Sequence, residues 1–424
     1  MIIMNFLQFA VWGSYLTSMG GYLFAKGQGD MIGWFYAMQG IVSMFMPAIM
    51  GIIADKWMPA QRLLGMCHAI AAIFIAAAGY FASSDMIAPM FVLYSISVAF
   101  YMPTLALSNS VAYTSLEIGG YDTVKAFPPI RVFGTVGFIV AMLICDFAGF
   151  QASHVQFYQC ALIGVAMSLF TLLLPNCPVS KSAGNKSLMQ RLGLDAFKLF
   201  KSKQMALFFI FSMLLGVSLQ ITNGFANGFI TSFKNLPEFA NTFGANHANA
   251  LISLSQVSET LCILLIPICL KRLGIKWVML IAMFAWVLRF GLFGLGNPGD
   301  GLWMFILSMI VYGVAFDFFN ISGSLFVNEN TSGEMRSSAQ GLFMIMTNGI
   351  GATVGTLSAQ AVVNRFVPAE IKNVEEVVTN GNAIAEGWSE TWLIFAGYAL
   401  VVALLFWALF KYKHNPNQMV DIKH

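Results

Sequence analysis

Charge is scarce in this chain: Asp, Glu, Lys and Arg make up 10% of its 424 residues, against roughly 25% in a soluble domain. With 58% of residues hydrophobic, there are too few charged side chains to cover a water-facing surface, which excludes a soluble globular protein. Cysteine is scarce as well. Cys67, Cys145, Cys160, Cys177, Cys262 and Cys269 lie mostly in apolar stretches without metal-ligand spacing and are read as small packing residues. No nucleophile constellation, zinc-site spacing or phosphate-cradling glycine loop occurs, so nothing supports an enzyme or an ATP-driven device. The first residues lack a basic n-region and a small-residue cleavage site. An uncleaved first helix is therefore expected, and not a signal peptide.

What the chain has instead is apolar length. Stretches of about 20 residues recur from end to end, the span a helix needs to cross ~30 Å of hydrocarbon. Twelve spans are predicted, at 3–24, 31–54, 63–82, 86–112, 126–149, 155–174, 205–232, 247–270, 275–296, 302–328, 336–363 and 389–411. Orientation follows from the enrichment of Lys and Arg in cytoplasmic loops. With both termini inside, Lys26, Lys234, Arg365 and Lys372 fall outside and Arg289 within a span; the rest of the 22 basic residues fall on the inner side. The outer loop near 364–390 instead collects Glu370, Glu375, Glu376, Glu386 and Glu390. The net charge of +3 thus reflects topology, and the partner it implies is a lipid bilayer, not nucleic acid.

The longest polar connector, 175–204, lies halfway along the chain and carries Lys181, Lys186, Arg191, Lys198, Lys201 and Lys203. It predicts an N-terminal six-helix bundle over 1–174, a cytoplasmic linker over 175–204 and a C-terminal six-helix bundle over 205–424. An all-α integral membrane protein is expected, and the six-plus-six division resembles the major facilitator fold, which implies two halves that are repeats with the substrate site between them at mid-membrane. A second mark agrees: Gly51-Ile-Ile-Ala-Asp55-Lys56 followed by Arg62 resembles that superfamily's loop motif between helices 2 and 3. The motif is degenerate in Trp57-Met58-Pro59-Ala60-Gln61, and its counterpart Leu270-Lys-Arg-Leu-Gly-Ile-Lys276 keeps the basic residues without the Asp.

One carboxylate stands out. Asp317 sits within the apolar run from Met309 to Val327, where insertion costs roughly 2.5–3.5 kcal/mol and the residue usually faces a bundle interior to bind substrate or carry protons. The bland alternative is a protonated Asp bonded to a neighbouring helix. Polar faces elsewhere narrow the ligand. In the seventh span Gln220, Asn223 and Asn227 share one face, and the eighth offers Gln256 and Glu259 three apart. The fifth aligns Arg131, Thr135 and Phe138, and the tenth Tyr312, Phe316 and Asn320 beside Asp317. Amides, carboxylates and an Arg hydrogen-bond hydroxyls and heterocycle edges, while aromatic rings supply a stacking surface. A nucleoside combines both needs most simply; a sugar or glycoside would use many of the same groups.

The chain also resembles the bacterial nucleoside:proton symporters, the nucleoside permease family of the major facilitator superfamily. The resemblance runs over nearly its whole length. It is carried by Phe6-Leu-Gln-Phe-Ala-Val-Trp-Gly-Ser-Tyr15, Phe45-Met-Pro-Ala, Tyr101-Met-Pro-Thr-Leu105, Phe127-Pro-Pro-Ile-Arg-Val-Phe-Gly-Thr135, Phe209-Ile-Phe-Ser-Met-Leu-Leu-Gly216, Leu219-Gln-Ile-Thr-Asn223, Ser255-Gln-Val-Ser-Glu259 and the Asp317 segment. It implies proton-driven uptake of purine and pyrimidine nucleosides across the bacterial inner membrane by alternating access, with the proton as coupling ion and no other cofactor. A monomer is expected. The binding residues it implies are Arg131, Thr135, Phe138, Gln220, Asn223, Gln256, Glu259, Tyr312, Phe316 and Asp317, with Asp317 the first and Glu259 the second candidate proton carrier. Departures are a short N-terminus, Ser218 in place of a more acidic type, and a divergent acidic loop before the twelfth span. Base preference stays open, since relatives include carriers of one specialised nucleoside such as xanthosine. A symporter of sugars or glycosides is the second function class and a non-transporting receptor or enzyme the third.

Further polar and small residues carry lesser expectations. Arg289 is expected to pair with a helical carbonyl or a buried acid in a structural role. Gln8, Trp12 and Tyr15, with Tyr36 and Gln39, are expected to line the cavity. Gly351 and Gly355 are spaced for close helix packing, Pro128 and Pro129 are expected to fix the entry to the fifth helix, and Glu329 and Arg336 to flank a cytoplasmic gate or a surface ion pair.

Overall fold

The structure is a computed structural model that describes residues 1–177, 194–263, 265–331, 335–375 and 377–412. The centre of the connector with Lys181, Lys186 and Arg191 lies outside the described residues, as do Glu376, Lys413 and Lys423. The side chains of Asp55, Lys56, Glu329 and Arg336, which bear the loop motif and the expected gate, lie outside them too.

Helices dominate the described residues, with one isolated β-bridge between Lys372 and Val378. In order the helices are α1 (Ile2–Gly13), α2 (Met19–Ala25), α3 (Ile32–Ser43), α4 (Met46–Lys56), α5 (Ala60–Ser83), α6 (Ile87–Ile118), α7 (Thr123–Phe147) and α8 (Val155–Phe170). After the connector follow α9 (Lys203–Ser232), α10 (Ala248–Ile263), α11 (Ile266–Leu295), α12 (Leu302–Glu329), α13 (Arg336–Met344), α14 (Ala352–Phe366) and α15 (Gly381–Leu409). Among the described residues ten helical segments are long and apolar enough to cross a bilayer. The other two expected spans correspond to shorter helices. The first divides into α1 and α2 because Gly13, Ser14, Thr17 and Ser18 are poor helix formers, and the Ser14 hydroxyl turns back to the Ala10 carbonyl at 2.8 Å. For the eighth, α10 ends at Ile263 and α11 begins at Ile266 with Pro267 in its first turn, so the last turns of that span join α11 up to Gly274, whose φ of +75° breaks that helix and suits glycine alone.

The chain forms two compact units, Met1–Leu192 with Asn223–Gly228, and Gly193–Thr222 with Phe229–His424. In the first, Met4, Leu63, Leu64, Cys67, Val111 and Met167 form a buried cluster. Glycine sets the approach of α1 to α7: a methyl on Gly13 would strike the Phe138 backbone, and one on Gly137 the Phe6 carbonyl. Gln61 ties the start of the connector to α5, donating to Asn176 at 2.7 Å and accepting from the Cys177 amide at 2.9 Å. Pro128 and Pro129 lie inside α7, which already begins at Thr123, so they interrupt its ladder and do not open it. A proline there leaves the carbonyl four residues back without its helical donor.

In the second unit, Phe229, Phe293 and Trp392 pack with ring centroids 4.8–5.8 Å apart. The expected packing at Gly351 and Gly355 is present: added methyls would meet Met213 and Val217 of α9. Between α13 and α14 the helix widens into a π-helical stretch, Ile345–Gly351, where the Thr347 backbone lies against Gly216. The loop before α15 is held by Asn373, which accepts from the Glu375 and Val377 amides, while Glu370 accepts from Asn235 at 3.0 Å.

Candidate functional site

In the first unit the candidates Arg131, Thr135 and Phe138 occupy one stripe of α7, spaced four and three residues apart. The Arg131 guanidinium sits 4.0 Å over the Phe9 ring of α1, a cation–π contact that keeps its planar fork oriented. Phe138 is buried and meets Trp12 edge to face, with centroids 6.3 Å apart and planes at 88°. Trp12 leans in turn on Tyr101 at 6.0 Å. Arg131 and Thr135 are half-buried. Gly134 keeps the stripe narrow, since a methyl there would meet Phe9 and Arg131.

Most of the other expected cavity residues of this unit are committed elsewhere. Gln8 is fully buried, donates to Thr104 at 2.7 Å and shares its carbonyl oxygen with the His68 ring at 2.8 Å. Tyr15 is 2% exposed and packs against Tyr94. The Tyr36 hydroxyl donates to the Leu16 carbonyl, freed by the break between α1 and α2, and Gln39 donates to Tyr94 at 2.9 Å. Of that set only Trp12 is partly exposed. A helical face read from spacing cannot show whether a polar group turns to a ligand or to the next helix. Asn227 makes the same point: it is 1% exposed and donates to Gln151 at 3.2 Å, while Asn223, one turn earlier, is half-buried.

In the second unit the candidates converge from α10 and α12. Gly313 of α12 faces the Ser258 backbone with no room for a methyl, and the Ser258 hydroxyl donates to the Ile310 carbonyl. This contact packs the helix that carries Gln256 and Glu259 against the one that carries Tyr312, Phe316 and Asp317. Tyr312 and Phe316 stack, with centroids 5.4 Å apart and planes at 19°. Tyr312 is buried and Phe316 half-buried, so Phe316 is the ring with an open side. Asp317 is 4% exposed, whereas Gln256, Glu259 and, on α9, Gln220 are half-buried. Tyr312 lies within electrostatic reach of Glu259, Arg289 and Asp317. Asn320, on the same stripe, bonds back to the Phe316 carbonyl at 3.0 Å.

Two groups escaped the sequence reading. Asp146, near the end of α7, is 3% exposed and accepts from Gln151 at 2.8 Å; like Asp317 it is a carboxylate within an apolar run. Ser255 and Ser308, which hold Arg289, gave no signal because isolated serines in spans are common. Among the described residues no group of three or more His, Cys, Asp or Glu side chains is placed to hold a metal ion.

Comparison with known proteins then adds its own findings. A family model described as Nucleoside H+ symporter matches residues 1–415. The chain is 48% identical over 415 residues to the nucleoside permease NupG of Escherichia coli (strain K12), covering 97% of this chain and 95% of that one. It is 46% identical over 425 residues to the xanthosine permease of the same organism, covering 100% and 97%. The crystal structure of the nucleoside transporter NupG matches with a TM-score of 0.87 at 48% identity, over 97% of this chain and 98% of that one.

Proposed function

Because this chain belongs to the nucleoside H+ symporter family, a family of multi-pass membrane transporters of major facilitator fold, we propose that it carries nucleosides into a bacterial cell together with protons. The observation that carries the proposal is the family match over residues 1–415; the exposure of the candidate residues within each unit supports the roles given to them. Arg131, Thr135, Gln220, Asn223, Gln256 and Glu259, all half-buried, hydrogen-bond the ribose hydroxyls and the polar edge of the base. Phe138 and Phe316 supply apolar and stacking surface, and Tyr312 backs Phe316.

Asp317 takes a proton on the outer side and releases it on the inner side. Its burial at mid-helix supports this role over Glu259, whose half-exposed carboxylate suits ribose hydroxyls. Substrate binds best when Asp317 is protonated, so proton and nucleoside cross together. The membrane is the inner one, with both termini cytoplasmic and one chain as the working unit. The halves 1–174 and 205–424, joined by 175–204, act as the two repeats, and the proton is the coupling ion with no other cofactor.

A second reading restricts the substrate to xanthosine, favoured by 46% identity to a xanthosine permease over the full length of this chain. Uptake of labelled uridine, adenosine, xanthosine and lactose, with and without a protonophore, separates the readings. Concentrative, protonophore-sensitive uptake of uridine and adenosine is expected. Uptake of xanthosine alone establishes the second reading, and uptake of lactose alone overturns both. Nucleoside uptake that ignores the protonophore removes the symport.

A further inference from the structure

Arg289 of α11 is 1% exposed, and an arginine at mid-membrane is costly enough to ask what it does. Its contacts are to neutral groups. Nη1 donates to the Ser308 carbonyl of α12 at 2.7 Å and lies 3.4 Å from the Ser255 hydroxyl of α10, and the Ser308 hydroxyl donates back to the Arg289 carbonyl at 3.0 Å. The guanidinium carbon sits 4.5 Å over the Tyr312 ring and 5.2 Å over Phe293. Tying three helices together needs only a neutral donor, so those hydrogen bonds alone do not account for a cation.

The ring beneath the cation does. Tyr312 is held on its edge by Trp286, with centroids 5.9 Å apart and planes at 90°, and it stacks on Phe316. Arg289, Tyr312 and Phe316 form a linked series: a cation, a buried ring and a ring with an open side. Cation–π attraction is strongest where both partners are desolvated, and it fixes the tilt of Tyr312 and through it that of Phe316. We propose that Arg289 is a positioning residue that sets the plane of Phe316, the surface on which the nucleobase stacks. The inference rests on the reading of the chain as a nucleoside carrier and assigns to that site a support outside the binding residues.

The test is a double-mutant cycle on the KM for uridine in counterflow at fixed pH, with purified protein in liposomes and no imposed gradient. Arg289→Met and Tyr312→Leu are each expected to raise KM roughly tenfold, Arg289→Met with Vmax nearly unchanged, the scale of one desolvated cation–π contact. The double variant is expected to stay near tenfold, because both changes remove the same support. Arg289→Lys, which keeps a charge over the ring, should recover most of the affinity. An unchanged KM in Arg289→Met, or a double variant that multiplies to roughly a hundredfold, overturns the proposal. If Arg289→Met yields no folded protein, the cycle runs with Arg289→Gln, which removes the charge but keeps a neutral donor for the Ser308 carbonyl, and the same criterion of shared loss applies. A wild-type protein without nucleoside counterflow brings down the functional reading and this inference with it; wild-type counterflow with an independent Arg289 refutes the inference alone.

Discussion

Asp317→Asn isolates proton coupling with little else disturbed. Asparagine matches aspartate in volume and hydrogen-bonding reach, so the 4% exposed site in the middle of α12 keeps its packing. What is lost is the group that carries a proton. One elementary charge moved through ~100 mV is worth about 2.3 kcal/mol, and about 1.4 kcal/mol is a factor of ten, so one coupled proton supports roughly 50-fold accumulation. Each unit of imposed pH difference adds roughly another tenfold. In proteoliposomes with a potassium-diffusion potential and a pH gradient, wild-type protein should concentrate labelled uridine to this extent. Asp317→Asn should equilibrate it at a ratio near one while still exchanging it in counterflow. Accumulation by Asp317→Asn that still follows the pH gradient would refute the assignment, and loss of coupling in Glu259→Gln alone would move the proton to α10.

Three other outcomes follow from the packing. Arg131→Lys gives up the planar stacking on Phe9 and should raise the nucleoside KM by about two- to fivefold, the worth of a partly exposed cation–π contact; an unchanged KM would show that the Phe9 contact does not position the side chain. Gly313→Val places methyls against the Ser258 backbone and should cost about 1–3 kcal/mol of stability, visible as a lower thermal midpoint together with slower transport. Burial pushes the Cys177 thiol up from its ordinary value, so little thiolate exists at neutral pH. Maleimide labelling of a chain retaining only that cysteine should be slow at pH 7 and accelerate as pH rises. Gln61→Ala, which removes two hydrogen bonds at the connector, should speed the labelling, and equal rates would show that Gln61 does not shield it.

The apolar spans were legible because bilayer thickness imposes a length that composition cannot hide. Breaks inside them were less so. The division of the second span into α3 and α4 follows Pro47, which sits in the first turn of α4, yet a proline within an apolar run also fits an unbroken helix, as Pro103 does in α6. Pro128 and Pro129 misled in the other direction, since the polar residues before them extend α7 back to Thr123. Among candidate site residues, spacing groups side chains on a helix face but does not say what that face meets. Gln8, Gln39 and Asn227 look like ligand contacts in the sequence and are spent on other side chains. The chemistry of each pair depends on a residue 55 to 96 positions away, which periodicity does not encode.

The π-helical stretch Ile345–Gly351 has a consequence for how this chain tolerates change. On one side of it Gln340 of α13 donates to the Ser324 carbonyl of α12 at 2.7 Å; on the other Gly351 and Gly355 face α9. Each residue of an α-helix turns the chain by about 100°, so the wider coil acts as a phase shift between two partners whose demands are out of step. Deleting a single residue from 345–351 would leave a continuous, equally apolar helix that hydropathy cannot distinguish from the original. It would also rotate one of its two faces by about a quarter turn, forcing a choice between the Ser324 contact and the glycine crossing.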